Sequence, residues 1–315
     1  AYLPIRTFDQ NDLPFFYRLR IGDNNSFTKE EMFHISYKNR GIVKSFRYSI
    51  AGHPTLYLGQ SSFVCWNELR KPEFNKINIS KYTLKKDINI KLLDFGYRPQ
   101  DIKKRLEMEE SMEEESFIIK DLLRLNDTEI KNYLIIFPLL ASCSVIVKNT
   151  EHFFKPEYLI PQAILQYVMK SNSPSKKNEN IVGVRYFSVG TTFNFSKEID
   201  HNPVNFIHNY AFPTVKKSDK FCPILSEIFN ISKPISWAVF KTMTNYYNFS
   251  KINNCSNDTS VVYDPTVTYR EYFHSNLEII ADHPVKYMNT EFSHIEAYLL
   301  QYETSHPLKN LPISN

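Results

Sequence analysis

Three short stretches carry residues whose types and spacing suit chemistry. The first is Phe16-Tyr17-Arg18-Leu19. An arginine within an apolar strand is costly to bury without an anion nearby. Either a buried ion pair or a bound phosphate meets that cost, and the planar guanidinium fork suits the phosphate. The second stretch runs from Ser45 to Gly59 and reads SFRYSIAGHPTLYLG, with Arg47 near its start and Tyr57 near its end. Eleven residues beyond Tyr57 stands Glu68, within Cys65-Trp66-Asn67-Glu68-Leu69. From spacing alone Glu68 reads equally as a surface-facing helix glutamate. The third stretch is Val184-Arg185-Tyr186-Phe187-Ser188-Val189, where Ser188 interrupts an apolar strand. The bland account of Ser188 is a small residue packed near a neighbouring backbone.

Standard signatures are absent. The chain has no GxGxxG, no Walker loop, no HExxH and no GxSxG. Cys65, Cys143, Cys222 and Cys255 are far apart, form no CxxC pair and share no metal-ligand spacing with the histidines. Reduced thiols and no metal are expected.

The elements that must position these residues follow from pattern. Residues 15–19 and 55–59 read as strands, the second after the Gly52-His53-Pro54 turn. Residues 61–69 read as a helix that Ser61 or Ser62 caps. Residues 99–131 are charged and helical in pattern, with Glu109, Glu110, Glu113, Glu114 and Glu115 beside a partial apolar stripe. They suit a solvated amphipathic helix or an acidic partner surface. Residues 134–140 and 141–147 are apolar with β-branched content and read as buried strands. Residues 156–169 predict a helix with proline in its first turn. Residues 171–180 read as a loop and 181–189 as a strand. Residues 190–315 lack strong motifs, but continuing Ile, Phe and Tyr predict packing rather than disorder. Within them, 248–259 reads as a polar loop and the last ten residues as a loose tail.

Composition narrows the class. A chain of 315 residues buries roughly 75% of its unfolded surface and needs no staples. Hydrophobic content of 42% and charged content of 23% fit a globular protein. The net charge of +4 is modest, with the basic residues scattered among 34 acidic ones. That argues against a nucleic-acid binder, which would carry a basic stripe. The longest apolar run, 133–147, is too short for a bilayer span and contains Pro138. No signal-like segment opens the chain, so a cytoplasmic location without membrane contact is expected.

Taken in order, the stretches resemble the RES family. Tyr17-Arg18 resembles its opening Tyr-Arg. Arg47-Tyr48-Ser49, then Gly52, Pro54 and Leu56-Tyr57-Leu58, resemble its next segment, and Glu68-Leu69 its following glutamate. FKPEYLIPQ at 154–162 and GVRYFSV at 183–189 resemble the segment before the last strand and the serine-bearing strand. The resemblance covers about 16–189. Phe46 replaces a frequent glycine, the charged insert around 107–115 is long, and the C-terminal third has no counterpart in the smallest members.

The resemblance implies an α/β (α+β) fold like the core of ADP-ribosyltransferase toxins. It implies a RES domain over 1–235, including the charged helical insert near 99–131, and a C-terminal extension, 236–315, packed on it. It implies a toxin that cleaves the nicotinamide–ribose bond of NAD, by water or by inorganic phosphate. Arg18 and Arg47 would bind NAD, with Glu68, Tyr57 and Ser188 catalytic. NAD is then the substrate and no further cofactor is needed. Nicotinamide leaves as a neutral molecule, so no second carboxylate is required as an acid. The implied partner is an Xre-type antitoxin or another immunity protein. ADP-ribosyl transfer to a protein is the nearest alternative. A nucleic-acid-targeting toxin and a non-catalytic interaction module are the others.

Overall fold

Aromatic and β-branched runs form the strands, and polar or Gly/Pro turns separate them. The computed structural model describes residues 3–13, 15–22, 27–99, 102–103, 106, 125–171, 180–189, 208–215, 220–246, 276–280, 283–287 and 290–305. In chain order the elements begin with β1 (Ile5–Phe8), β2 (Phe16–Ile21), α1 (Lys29–Met32), β3 (Thr55–Gly59), α2 (Ser62–Glu68), β4 (Ile77–Leu84) and β5 (Ile90–Phe95). Next come α3 (Asp127–Cys143), α4 (Leu159–Ser171), β6 (Ile181–Phe187), β7 (His208–Pro213), α5 (Pro223–Ile228), β8 (Phe229–Ile231), β9 (Ile235–Ser236) and α6 (Trp237–Tyr246). A hairpin of β10 (Asn276–Ile280) and β11 (His283–Lys286) precedes α7 (Glu291–Ser305). The fold is α+β.

One mixed sheet organises the chain in the order β1-β5-β6-β7-β3-β2-β4-β8, with β9 also on β4. Among the described residues only β5 and β6 are parallel within it. The sheet has a seam. β2 meets β3 through a single residue pair, Tyr17↔Gly59, whereas six pairs join β2 to β4 and five join β3 to β7.

Strand alternation assigns the cores to faces. One face buries Phe16, Leu56, Leu58, Tyr82 and Phe212 against Leu225 and Ile228 of α5. The other face carries two cores side by side. Leu93, Phe95, Val184 and Ala211 pack under α3 and α4. Tyr17, Leu19, Ile77 and Ile79 pack under α2, α6 and α7. A buried polar cluster pins the strand ends: Asp94 pairs with Arg6 at 3.1 Å and Arg185 at 3.2 Å. His208 contacts the Gly96 carbonyl through Nε2, so that nitrogen carries the proton and Nδ1 accepts from Arg185.

The expected strands at 134–140 and 141–147 are wrong. Residues 134–143 belong to α3, a helix of 17 residues, and 144–147 follow it as a turn and irregular chain. Its start is a capping box between Asn126 and Glu129. Ile130, Tyr133, Ile136, Leu140 and Cys143 recur at helical spacing and are buried. Leu134, Ile135 and Phe137 face outward, which made the run look uniformly apolar and hid the helical period. The remaining helices and strands near the site agree with the pattern: Thr55–Gly59 is a strand, Ser61 caps α2, and a 3-10 turn at Pro156–Tyr158 leads into α4. Most of the charged insert, the polar loop at 248–259 and the last ten residues lie outside the described residues, as do residues 172–179 of the expected loop.

Candidate functional site

Glu68 is the last residue of α2, and the chain around it is built to place that helix end. Ser61 starts the helix, its hydroxyl accepting from the Val64 N–H at 3.1 Å. Gly59 lets the helix approach the sheet. A Cβ there would stand 2.5 Å from Cys65 Sγ and 2.6 Å from Val64 Cγ1. The helix ends in a Schellman motif: Arg70 N–H donates to Asn67 O and Lys71 N–H to Trp66 O, both at 2.9 Å. Arg70 and Lys71 adopt φ of 63° and 54°, a left-handed conformation usually reserved for glycine. A carboxylate at a helix C-terminus faces the negative end of the dipole, so Glu68 stands where local electrostatics disfavours it.

Two donors compensate. Ser188 Oγ and Asn209 Nδ2 both donate to Glu68 Oε1, the second at 2.9 Å. Neither donor is near Glu68 in sequence. Ser188 follows β6, and Asn209 sits on β7 opposite Gly59 of β3. Both are buried, while Glu68 itself is open to solvent. Among the described residues no hydrogen bond reaches Glu68 Oε2, which leaves that oxygen for a ligand.

Tyrosines surround the carboxylate. Burial pushes the Tyr57 and Tyr186 hydroxyls far up, and the Glu68 charge pushes in the same direction. Tyr158 is raised by burial, with Arg47 opposing and Glu68 reinforcing. All three remain protonated at neutral pH and present apolar faces with a polar tip. The Tyr48 and Tyr186 rings pack at 4.5 Å between centroids.

The arginines differ in how they join this group. Arg47 donates to the carbonyls of Cys143 at 2.6 Å and Val145 at 2.8 Å, closing the end of α3, and lies 5.6 Å from the Tyr158 ring centroid. It meets Glu68 through its tyrosine neighbours, not by contact. The turn that carries it is held by α4: Gln162 Nε2 donates to Ser45 Oγ and to the carbonyls of Phe46 and Ser49. Arg18 stands at the seam and donates to the Tyr57 carbonyl at 2.8 Å. Among the described residues no carboxylate lies within ion-pair distance of it, and its Nε is buried without a partner. Burial therefore lowers its pKa. Arg20, two residues on, is lowered to about 10 by burial and then by the Arg18 charge. The Glu31 carboxylate offsets part of the Arg20 charge, whereas Arg18 carries buried charge of the kind an anion would complete.

The structure thus joins Glu68 to Ser188 directly, sets Tyr57 within electrostatic reach of Glu68, and joins Arg18 to Tyr57 through its backbone carbonyl. Sequence reasoning missed Asn209, Tyr158 and Tyr186. Asn209 had one signal, a polar side chain at the edge of the apolar stretch Tyr210-Ala211-Phe212. No group of three or more His, Cys, Asp or Glu residues suited to a metal occurs among the described residues. Cys65, Cys143 and Cys222 are buried thiols. No helix of the described residues is long and apolar enough to cross a membrane.

Fold and site together define an α+β protein with one exposed, doubly anchored carboxylate among tyrosines. No family model matches the chain, and no solved structure matches it. Over 290 residues it is 29% identical to a protein of Bacillus subtilis (strain 168) named "Putative toxin YopC". That similarity covers 92% of this chain and 57% of the relative, so the chain spans little more than half of the relative's length.

Proposed function

We propose that this protein is a toxin-type enzyme that breaks the nicotinamide–ribose bond of NAD. The observation that carries the reading is Glu68: an accessible carboxylate whose Oε1 is held by Ser188 and Asn209 and whose Oε2 is open. The toxin character of the relative's name and the RES-like order of Arg18, Arg47, Tyr57, Glu68 and Ser188 support it.

In this reading the pyrophosphate of NAD lies against the positive charge of Arg18, with Arg47 at the flank. Each charge-assisted contact contributes about 1.5–3 kcal/mol. The C1–N bond of the ribosyl nicotinamide breaks, and its electron pair neutralises the pyridinium. Positive charge builds on the ribose, and Glu68 stabilises it. Tyr57 offers a flat face and a protonated hydroxyl. Ser188 and Asn209 keep the carboxylate in one orientation. Water or inorganic phosphate attacks C1, and its proton passes to solvent.

Incubation with NAD and chromatography for free nicotinamide tests the reading. Wild-type protein releases nicotinamide, Glu68→Gln does not, and both fold alike. No release by wild type ends the enzymatic reading, and full activity in Glu68→Gln removes that residue from its role. Repeating the assay with and without inorganic phosphate identifies the nucleophile. Label from NAD retained on a protein band would instead indicate ADP-ribosyl transfer.

A further inference from the structure

The C-terminal helix reaches the site from the far end of the chain. Glu296 of α7 is fully buried. Its Oε1 accepts from Ser62 N–H and Ser62 Oγ, both at 2.6 Å, and from the Tyr287 hydroxyl at 2.8 Å. Ser62 is the first residue of α2, and Glu68 is the last. A helix leaves its first amides without internal partners. Here Ser61 satisfies Val64, and Glu296 satisfies Ser62 across 234 residues of sequence. The negative charge also complements the positive end of the helix dipole.

A helix of seven residues does not hold itself in place. Its position is set by what it touches. The sheet contributes through Gly59, and α7 contributes Glu296 together with Phe292, whose ring packs on Phe63 at 5.3 Å and Trp66 at 5.4 Å. The α7 N-terminus is fixed in turn, because Glu291 accepts from Trp237 Nε1 at 3.0 Å and pairs with Lys241 at 2.8 Å.

We propose that Glu296 is a positioning residue: by gripping the first turn of α2 it sets where the Glu68 carboxylate stands at the other end. The role in turnover rests on the NAD reading above; the anchoring itself does not. Hydrogen-exchange mass spectrometry and NAD turnover on the full chain test the two separately. Glu296→Ala accelerates exchange of the α2 amides by about tenfold or more and leaves α4 unchanged. The same variant lowers kcat by about 10- to 100-fold, as small misplacements of a reacting group do, with KM within about twofold. Glu296→Gln keeps an acceptor oxygen and recovers part of both effects. Ser62→Ala removes one donor only and carries the test if Glu296→Ala fails to fold. Unchanged α2 exchange overturns the proposal, and so does unchanged kcat in a variant whose α2 exchanges faster. If wild type releases no nicotinamide, the NAD reading falls, and the exchange comparison alone decides whether Glu296 anchors α2.

Discussion

Acidification should destabilise this protein through His34. The side chain is buried, with Nε2 accepting from the Cys222 N–H and Nδ1 donating to the Ile35 carbonyl, each at 2.8 Å. Phe33, Tyr37 and Phe221 surround the ring. Burial lowers its pKa from the ordinary 6.5 to about 4, with the Arg18 and Arg20 charges adding to the effect. A folded pKa below the unfolded one means that the unfolded chain binds the proton more readily. Stability is therefore complete above about pH 6.5, declines as pH falls, and is fully lost from this source below about pH 4. The difference amounts to about 3 kcal/mol. Urea unfolding at pH 7, 6, 5 and 4, followed by the fluorescence of Trp66 and Trp237, measures it. His34→Gln removes the titration, so the stability gap between wild type and variant should shift by about 3 kcal/mol in the variant's favour from pH 7 to pH 4. A gap that stays constant over that range refutes the reasoning.

Three further outcomes are expected. In the proposed NAD reading, Asn209→Ala removes a donor to a carboxylate and should lower kcat/KM by about 10- to 100-fold with the fold intact; activity within twofold of wild type in the nicotinamide assay would contradict it. Gly59→Ala forces a Cβ against Cys65 and Val64 and should cost about 1–3 kcal/mol by overpacking. A thermal melt matching wild type would show that α2 yields freely. Arg70→Gly relieves a left-handed residue and should stabilise by about 1 kcal/mol, a rise in Tm of about 2–4 °C. Little is lost with the side chain, because its ion pair with Glu151 at 3.9 Å is exposed. An unchanged or lower Tm would mean that the turn carries no such strain.

Local pattern revealed the elements that begin and end with chemical punctuation. The Gly52-His53-Pro54 turn, the Ser61 cap and Pro156 each mark a boundary that the structure retains. Residues 15–19 and 181–189 read as strands because their apolar runs are short and bounded; the observed strands are Phe16–Ile21 and Ile181–Phe187. The helix α3 was misread because residues on its exposed side are as apolar as those on its buried side. The convergence of Ser188 on Glu68 was suggested only by resemblance to a known family. Asn209 and Glu296 were out of reach for another reason. Their roles come from register across the sheet and from a contact spanning 234 residues of sequence, which no window of neighbouring residues contains.

The pairing across the sheet also fixes when the site comes into being. Arg18 and Glu68 are made first, Ser188 and Asn209 much later, and Glu296 later still. At roughly 5–20 residues per second, a nascent Glu68 waits on the order of ten seconds for Asn209 and several more for Glu296. During that interval the growing chain carries the carboxylate on a helix with neither brace. In the proposed reading, synthesis itself delays the activity until Glu296 has left the ribosome. A product cut short before Glu296 would then turn over NAD more slowly than the chain that carries it.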